Sequence, residues 1–253
     1  MIRIALVVVP FFLSARHRRL AEETLASIRS SHEIDTIGIV NGLRSPEDLE
    51  WLRSTLNYVE INDINILSRA WNKGIRKGFE RGARYVIVSN LDSIFHPLCI
   101  DNLAACAEKE ANAIVWSASR WNTPATFPHV KLESTLRSDI DWSCYMVDQR
   151  LFEVVGEFDE GFRPAYLEDE DMCRRMVLKG VRGVRSRAAY FLHQEAGTIR
   201  GLFECPQADI ASSAAVLKHL RACITANDER YLRKWGGRYG TEKFTVPFDG
   251  KPE

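Results

Sequence analysis

The first half of the chain alternates short apolar runs with segments whose apolar residues recur at helical spacing. Such runs predict buried strands, and the helical spacing predicts amphipathic helices. The predicted strands cover residues 4–9, 36–40, 58–61, 85–89 and 113–117. The predicted helices cover a segment marked by Leu20, Leu25 and Ile28 and then residues 46–56, 67–79 and 97–110. Strands that alternate with helices form βαβ units, so the pattern predicts an α/β fold with a mostly parallel, doubly wound central sheet and flanking helices.

The second half of the chain is less regular. Its predicted strands are residues 144–147 and 189–192, and its predicted helices are residues 168–179 and 208–235. Residues 120–141 are rich in polar residues and proline, which predicts a long loop. Because no repeat, low-complexity tract or linker interrupts the sequence, we expect a single domain.

The sheet pattern also predicts where a ligand binds. In open α/β sheets, ligands lie in the crevice beyond the carboxyl ends of the strands. The predicted strands end at Val9, Val40, Ile61 and Ser89. We therefore expect the functional residues to come directly after these positions.

The apolar stretch of residues 4–13 has two interpretations, a signal peptide or a buried strand. Pro10 interrupts it, and no small-residue cleavage site follows it. A buried parallel strand explains the stretch better. No later apolar segment is long enough to cross a bilayer, so we expect no transmembrane segment.

Charge and cysteine content narrow the possible functions. The 34 lysines and arginines balance 34 aspartates and glutamates. A chain without net charge is poorly suited to tracking a long nucleic-acid backbone. The absence of any CxxC pair argues against a zinc ribbon or a thioredoxin-like site. We predict reduced thiols in a cytoplasmic protein. The six cysteines are Cys99, Cys106, Cys144, Cys173, Cys205 and Cys223.

Residues 90–93, with the sequence NLDS, follow the predicted strand at residues 85–89. A carboxylate at the carboxyl end of a strand, here Asp92, suits Mg²⁺ or Mn²⁺, which bind oxygen ligands and bridge phosphates. The alternative is a turn in which the aspartate caps the backbone. These residues alone do not decide between a metal site and a turn.

Residues 168–171, with the sequence EDED, open a predicted helix. Acids in the first turn complement the helix dipole, which is a structural explanation. Adjacent carboxylates also repel one another, and one of them can acquire a raised pKa suited to a general base. His193, at the end of an apolar run, is either a structural histidine or a metal ligand.

The order of these motifs resembles that of GT-A fold glycosyltransferases, and of family 2 in particular. Residues 90–93 resemble the Asp-x-Asp motif in its Asn-x-Asp-Thr form. Residues 155–162, VGEFDEGF, are similar to V-G-x-F-D-E-x-F, and residues 168–174, EDEDMCR, to E-D-x-D-L-x-x-R. Residues 231–236, YLRKWG, look like the Y-x-x-K-W-G ending of many members. The resemblance covers residues 4–236.

The resemblance implies a GT-A domain at residues 1–236, followed by a tail at residues 237–253. Residues 1–117 would bind the nucleotide, and residues 118–236 would bind the acceptor and carry the catalytic acids. The implied activity is metal-dependent transfer of a hexosyl or deoxyhexosyl group from a UDP, dTDP or GDP sugar. The acceptor would be a hydroxyl group of a glycan, a protein or a modified nucleobase.

The resemblance also implies roles for individual residues. Asp169 would be the catalytic base, with Glu168 beside it. Mn²⁺ or Mg²⁺ would be bound by Asp92, with His193 as a further metal or phosphate ligand. The implied donor-binding residues are Pro10, Phe12, Asn41, Asn65, Asn72, Asn90 and Asp92.

Helix spacing agrees with the choice of Asp169. Side chains one and two positions apart on a helix point in different directions, so the four acids cannot all face one acceptor. Arg174 and Arg175 lie at helical spacing from Glu170 and Asp171, and we expect them to pair with these acids. Asp169 has no basic residue three or four positions further along.

Two segments depart from the family pattern. The acid that usually follows the second strand is replaced by Asn41, and the P-T-Y stretch after the first strand is PFF at residues 10–12. An asparagine can donate as well as accept a hydrogen bond, so the base it contacts need not be uracil.

Other functions remain to be compared with this one. A nucleotidyltransferase or a dehydrogenase would need a glycine-rich phosphate loop, and none follows the first strand. Family 2 members invert the anomeric centre, which we expect here, although retaining GT-A enzymes share the metal motif. A catalytically inactive sugar- or nucleotide-binding scaffold on the same fold is a further alternative.

Overall fold

A computed structural model describes residues 1–43, 45–121, 134–135, 140–194 and 210–253. The strands are β1 (Arg3–Val8), β2 (Glu33–Val40), β3 (Tyr58–Ile61), β4 (Tyr85–Ser89), β5 (Ser93–Phe95), β6 (Val115–Trp121), β7 (Ser134–Thr135), β8 (Cys144–Val147) and β9 (Gly183–His193). The helices are α1 (Ala15–Ser27), α2 (Pro46–Thr55), α3 (Leu67–Glu80), α4 (Cys99–Lys109), α5 (Arg150–Val154), α6 (Glu168–Leu178) and α7 (Ile210–Trp235). A short 3-10 helix follows at Pro247–Gly250.

The strands form one sheet in the order β3-β2-β1-β4-β8-β6-β9-β5, with β7 paired to β9. Strands β3, β2, β1 and β4 are parallel to one another. Strand β8 is antiparallel to both β4 and β6, and β9 is parallel to β6 and antiparallel to β5. Because β1, β2 and β4 run in the same direction, their carboxyl ends meet at one edge of the sheet.

Apolar layers cover both faces of the sheet, which explains the nearly continuous apolar run of β1. Side chains alternate between the faces of a strand. Ala5 and Val7 therefore join the layer that includes α3, whereas Ile4 and Leu6 join the layer that includes α4. All four residues are fully buried.

Helix α3 approaches the sheet closely through two glycines. A Cβ at Gly78 would lie 2.7 Å from a Val86 methyl group and 2.8 Å from the Ala5 Cβ, and one at Gly74 would collide with Val7. A larger residue at either position would push the helix away from the sheet. The close packing fixes α3 against β1 and β4.

The predicted fold class is confirmed: the chain is an α/β domain built on a largely parallel sheet. Predicted strands at residues 58–61, 85–89 and 144–147 match β3, β4 and β8. Strand β9 begins at Gly183, earlier than the predicted residues 189–192. The first residues of this strand were not predicted because Arg185 and Arg187 interrupt the apolar run. Strand β5 and helix α5 were not predicted, since each is too short to show a periodic pattern.

Other predictions lie partly or wholly beyond what this structure tests. Most of the predicted loop at residues 120–141 lies outside the described residues, as does Cys205. The division into nucleotide and acceptor halves and the cytoplasmic location remain predictions. Among the described residues, no helix is long and apolar enough to cross a membrane. The described cysteines are free thiols.

Candidate active site

A cavity of about 1090 Å³ opens at the edge of the sheet where β1, β2 and β4 end. Its wall combines residues that follow these strands with residues from the start of α6. It therefore lies where the crevice rule for open sheets places a ligand. The predicted site residues that line it are Phe12, Asn41, Asn65, Asn90, Asp92, Glu168 and Asp169.

The pair of Asp92 and His193 lies at the end of β4. A carboxylate oxygen of Asp92 is 3.1 Å from Nε2 of His193, and the Asn90 amide nitrogen is 3.4 Å from the same ring atom. The antiparallel pairing of β5 with β9 places Ser93 opposite His193. This pairing explains how residues about one hundred positions apart in the chain become neighbours.

Asp92 and His193 fit a divalent metal as part of its ligand set. A carboxylate and an imidazole are suitable donors for Mn²⁺, and both side chains are largely buried, with 15% and 12% exposed. Within the part of the chain that the structure describes, no group of three potential metal ligands occurs.

Asn41, after β2, is oriented by a neighbour that sequence analysis did not identify. The amide nitrogen of Asn62 donates to Oδ1 of Asn41 at 2.7 Å and to the backbone carbonyl of Ile64 at 2.6 Å. A backbone carbonyl only accepts hydrogen bonds, so the Asn62 atom that contacts both Ile64 and Asn41 is the amide nitrogen and not the oxygen. The oxygen of Asn41 is thus occupied, and its amide N–H groups remain to donate to a ligand.

Two predicted donor-binding residues do not line the cavity. Asn72 is fully buried, and its side chain donates to the carbonyl of Phe158 and accepts from the N–H of Phe158, each at 2.9 Å. Its amide fixes the segment before α6, so we correct the expected donor contact to a structural role. Pro10 is also buried, and its carbonyl accepts hydrogen bonds from the N–H groups of Asn41 and Gly42.

Three consecutive acids at the start of α6 face the cavity. Glu168 is only 3% exposed, and burial, followed by the charge of Asp169, raises its pKa to about 8. Burial also raises the pKa of Asp169 and brings that of Glu170 to about 7. The charge of Asp169 contributes to the raised pKa of Glu168, so these adjacent acids do not ionise independently.

Asp171, the fourth acid, is fully buried and does not reach the cavity. Its two oxygens contact Lys234 at 2.6 Å, the indole N–H of Trp235 at 2.9 Å and Arg175 at 2.9 Å. The pairing predicted from helix spacing is therefore present for Arg175. Arg174 instead donates to the backbone carbonyl of Phe244.

The turn before α6 has an unusual backbone conformation. Tyr166 and Leu167 have φ angles of 84° and 72°, in the left-handed region that non-glycine residues rarely adopt. Asn227 of α7 donates to the carbonyls of Ala165 and Tyr166 and accepts from the N–H of Arg163. These hydrogen bonds hold the turn in place, and such strain is concentrated at functional sites.

Sequence analysis missed several residues that line the cavity, including Arg120, Trp142, Arg185, Tyr166 and Tyr239. Arg120 and Arg185 extend from β6 and β9, and Arg120 pairs with Asp141 at 3.2 Å. The sequence pattern did not single out either arginine, since Arg120 began the predicted loop and Arg185 preceded the predicted strand at residues 189–192. Tyr239 belongs to the tail, which carries no recognisable pattern.

Comparison with solved structures identifies the fold. GalNAc-T7 with UDP, GalNAc and Mn²⁺ superposes with a TM-score of 0.60 at 13% identity, over 76% of this chain and 44% of that one. The chain has the GT-A fold. S. aureus TarS 1–349 superposes with a TM-score of 0.57 at 12% identity, over 91% of this chain and 72% of that one, and TarS with UDP-GlcNAc gives the same values.

In all, 419 chains of solved structures match this chain. No protein-family model matches the sequence, and no curated protein matches it. This chain spans less than half of the GalNAc-T7 chain.

Proposed function

We propose that this chain is a glycosyltransferase that moves a sugar from a nucleoside-diphosphate sugar to an acceptor hydroxyl. One observation carries the proposal. Asn90 and Asp92 border the same cavity as the acids Glu168 and Asp169, at the carboxyl edge of the parallel strands. His193 contacts Asn90 and Asp92 but does not itself line this cavity. The fold neighbours bind UDP and UDP-GlcNAc, which supports a nucleotide-sugar donor.

The donor nucleoside lies, in this proposal, between Phe12 and Asn41, beyond the ends of β1 and β2. Phe12 lines the cavity from the buried apolar layer, where it is 2% exposed, so it limits the space for the nucleoside. Asn41 donates a hydrogen bond from its amide N–H groups. Asn65 lines the same cavity and is exposed to it. A UDP, dTDP or GDP sugar would fit the proposal, since each base carries carbonyl oxygens that accept from Asn41.

The diphosphate extends toward Asn90 and Asp92. We propose that Asp92, with His193 as a second ligand, holds Mn²⁺ or Mg²⁺ against the two phosphates. The metal would neutralise the negative charge that develops on the leaving nucleoside diphosphate. The GalNAc-T7 structure contains Mn²⁺, which supports this part of the proposal.

Asp169 is the proposed base, taking the proton of the acceptor hydroxyl as its oxygen attacks the anomeric carbon. Glu168, whose pKa is about 8, keeps its proton at neutral pH and leaves Asp169 as the ionised neighbour. Attack from the side opposite the leaving group inverts the configuration of the sugar. We propose inversion because a base that activates the acceptor hydroxyl allows direct displacement, and Asp169 lines the same cavity as Asp92.

A thermal-shift panel tests the proposed donor site. The protein is heated with UDP, dTDP, GDP, CDP or ADP, each with and without Mn²⁺. We expect at least one diphosphate to raise the melting temperature, more so with Mn²⁺, because a ligand that binds the folded state stabilises it. A panel in which no nucleotide changes the melting temperature would contradict the proposal.

A further inference from the structure

Two tyrosines at the mouth of the cavity remain exposed to solvent. Among the described residues, the large hydrophobic side chains with high exposure include two aromatic ones, Tyr166 at 40% and Tyr239 at 58%. Both line the cavity. Exposed aromatic surface at a concave site commonly marks a binding surface, because its contact with water is unfavourable.

The two rings lie close to the acids of α6. Burial and then the charge of Glu168 raise the pKa of Tyr166. Burial and then the charge of Glu170 raise the pKa of Tyr239. The phenol of Tyr166 is therefore near Glu168, and the phenol of Tyr239 is near Glu170. The proposed base, Asp169, lies between these two acids in the chain.

Both tyrosines are held by the carboxyl-terminal part of α7. The carbonyl of Tyr166 accepts a hydrogen bond from Asn227 at 3.1 Å. The tail that carries Tyr239 folds back onto α7, since the N–H groups of Lys243 and Phe244 both donate to the carbonyl of Trp235 at 3.0 Å. The backbone segments that carry both tyrosines are thus held in place before any acceptor binds, which reduces the entropy lost on binding.

We propose that Tyr166 and Tyr239 form an acceptor subsite that binds a sugar ring, so that the acceptor is a carbohydrate. This inference rests on the proposed function, because the acceptor is the molecule whose hydroxyl group meets Asp169. A pyranose has a face of C–H groups that packs on an aromatic ring. Its edge carries hydroxyl groups that donate to carboxylates.

The charge of the site favours a sugar over a nucleobase in RNA. Ionised carboxylates only accept hydrogen bonds, and a sugar ring supplies hydroxyl donors along its whole edge. The cavity also contains Arg120 and Arg185, of which Arg120 is paired with Asp141. The acids Asp169 and Glu170, which line the cavity with the two tyrosines, would repel the phosphates of a nucleic acid. A protein side chain has one hydroxyl group and no extended C–H face to cover two rings.

Saturation-transfer NMR with the full chain and UDP tests this subsite. The probes are methyl glycosides of glucose, galactose and mannose. A serine- and threonine-containing peptide and a short RNA are tested in the same way, because they represent the two alternative acceptor classes. We expect at least one glycoside to receive saturation, mainly at the C–H protons of one face. Tyr239→Ala should reduce its affinity about tenfold, because the ring contact is lost.

Two control variants separate the ring from general effects on the fold. Tyr239→Phe keeps the ring and should bind the glycoside like the unmodified chain. Val246→Ala removes an exposed apolar side chain from the same tail, 54% exposed and outside the cavity, and should also bind normally. Equal binding by Tyr239→Ala would overturn the inference, as would saturation of the peptide or the RNA but of no glycoside.

Failure of this inference can be told apart from failure of the proposed function. Slow Mn²⁺-dependent hydrolysis of a nucleotide sugar by the unmodified chain needs no acceptor other than water. If hydrolysis occurs and no glycoside receives saturation, the carbohydrate subsite is wrong and the donor function stands. If no nucleotide sugar is hydrolysed, the proposed function itself is contradicted.

Discussion

Glu168 and Asp169 are adjacent in the chain but hold their protons differently, because their surroundings differ. Glu168 is almost completely buried, and its Oε2 atom has no hydrogen-bond partner in the described structure. Asp169 is less buried, and its Oδ1 accepts from the N–H of Glu170 at 2.9 Å. A hydrogen bond to the charged form favours that form, so Asp169 is the better base at neutral pH.

Substitution of each acid tests this difference. Asp169→Asn should retain donor binding and lower the transfer rate by about 10²-fold or more, since a general base contributes that much. Glu168→Gln preserves the neutral, hydrogen-bonding character that Glu168 has at neutral pH, so it should lower the rate much less. The measurement is sugar transfer or donor hydrolysis at pH 7. Near-normal activity of Asp169→Asn together with an inactive Glu168→Gln would show that Glu168 is the base.

The raised pKa of Glu168 also predicts how stability depends on pH. Between its ordinary pKa of 4.5 and about 8, the folded chain holds a proton that the unfolded chain has lost. The free energy of unfolding should therefore fall as pH rises through this window, by up to about 1.4 kcal/mol per pH unit. The measurement is urea unfolding at pH 5, 6, 7 and 8.

Two variants make the pH measurement specific. Glu168→Gln cannot lose a proton, so its stability should depend less on pH and should exceed that of the unmodified chain at pH 8. Glu157→Gln changes an exposed acid that pairs with Arg76, and it should follow the unmodified chain. The same pH dependence in Glu168→Gln would mean that another group is responsible.

At the scale of elements, the start of α6 is joined to the end of α7 by a buried charge network. The ammonium group of Lys234 lies 2.6 Å from both Asp171 and Asp159, and Arg230 contacts Asp159 at 3.0 Å. Asp159 belongs to the segment before α6, and these contacts lower its pKa to about 2, against the effect of burial. The network thus fixes the helix end that presents the catalytic acids.

Removing one charge of this network should destabilise the fold. Asp171→Asn removes one of the two carboxylate charges that contact the buried ammonium group of Lys234. Loss of one member of a buried charge pair costs about 3–5 kcal/mol of folding stability. The control is Asp228→Asn, an exposed acid on α7, which should change stability by less than about 0.5 kcal/mol. Both values come from denaturant unfolding at pH 7. Equal stability of the two variants would contradict the assigned role of Asp171.

At the scale of the molecule, the parallel half of the sheet was predictable because its strands are continuous apolar runs buried on both faces. Asp92 and Asp169 were predictable as cavity residues because each follows a recognisable element boundary. The family resemblance implied that Asp92 and His193 share a metal site, but the strand that brings them together, β5, has three residues and was not predicted. Asn72 was misassigned because sequence alone does not show that its amide is bonded to the backbone of Phe158.

The tail shows a second limit of sequence analysis. It was predicted only as a tail that follows the domain, yet Tyr239 reaches the cavity and Glu242 accepts a hydrogen bond from Tyr231 of α7 at 2.6 Å. Such contacts join segments without any periodic pattern. They become visible only when the chain is folded.

Donor hydrolysis by Asp92→Asn tests the central claim most directly. The unmodified chain should release nucleoside diphosphate from a nucleotide sugar in the presence of Mn²⁺ and much more slowly after EDTA treatment. Asp92→Asn should be slower by about 10²-fold or more, because a stabiliser of the leaving-group charge is lost. Its melting temperature without ligand should stay close to that of the unmodified chain. Undiminished Mn²⁺-dependent release by Asp92→Asn would contradict the assignment of this cavity as a metal-assisted nucleotide-sugar site.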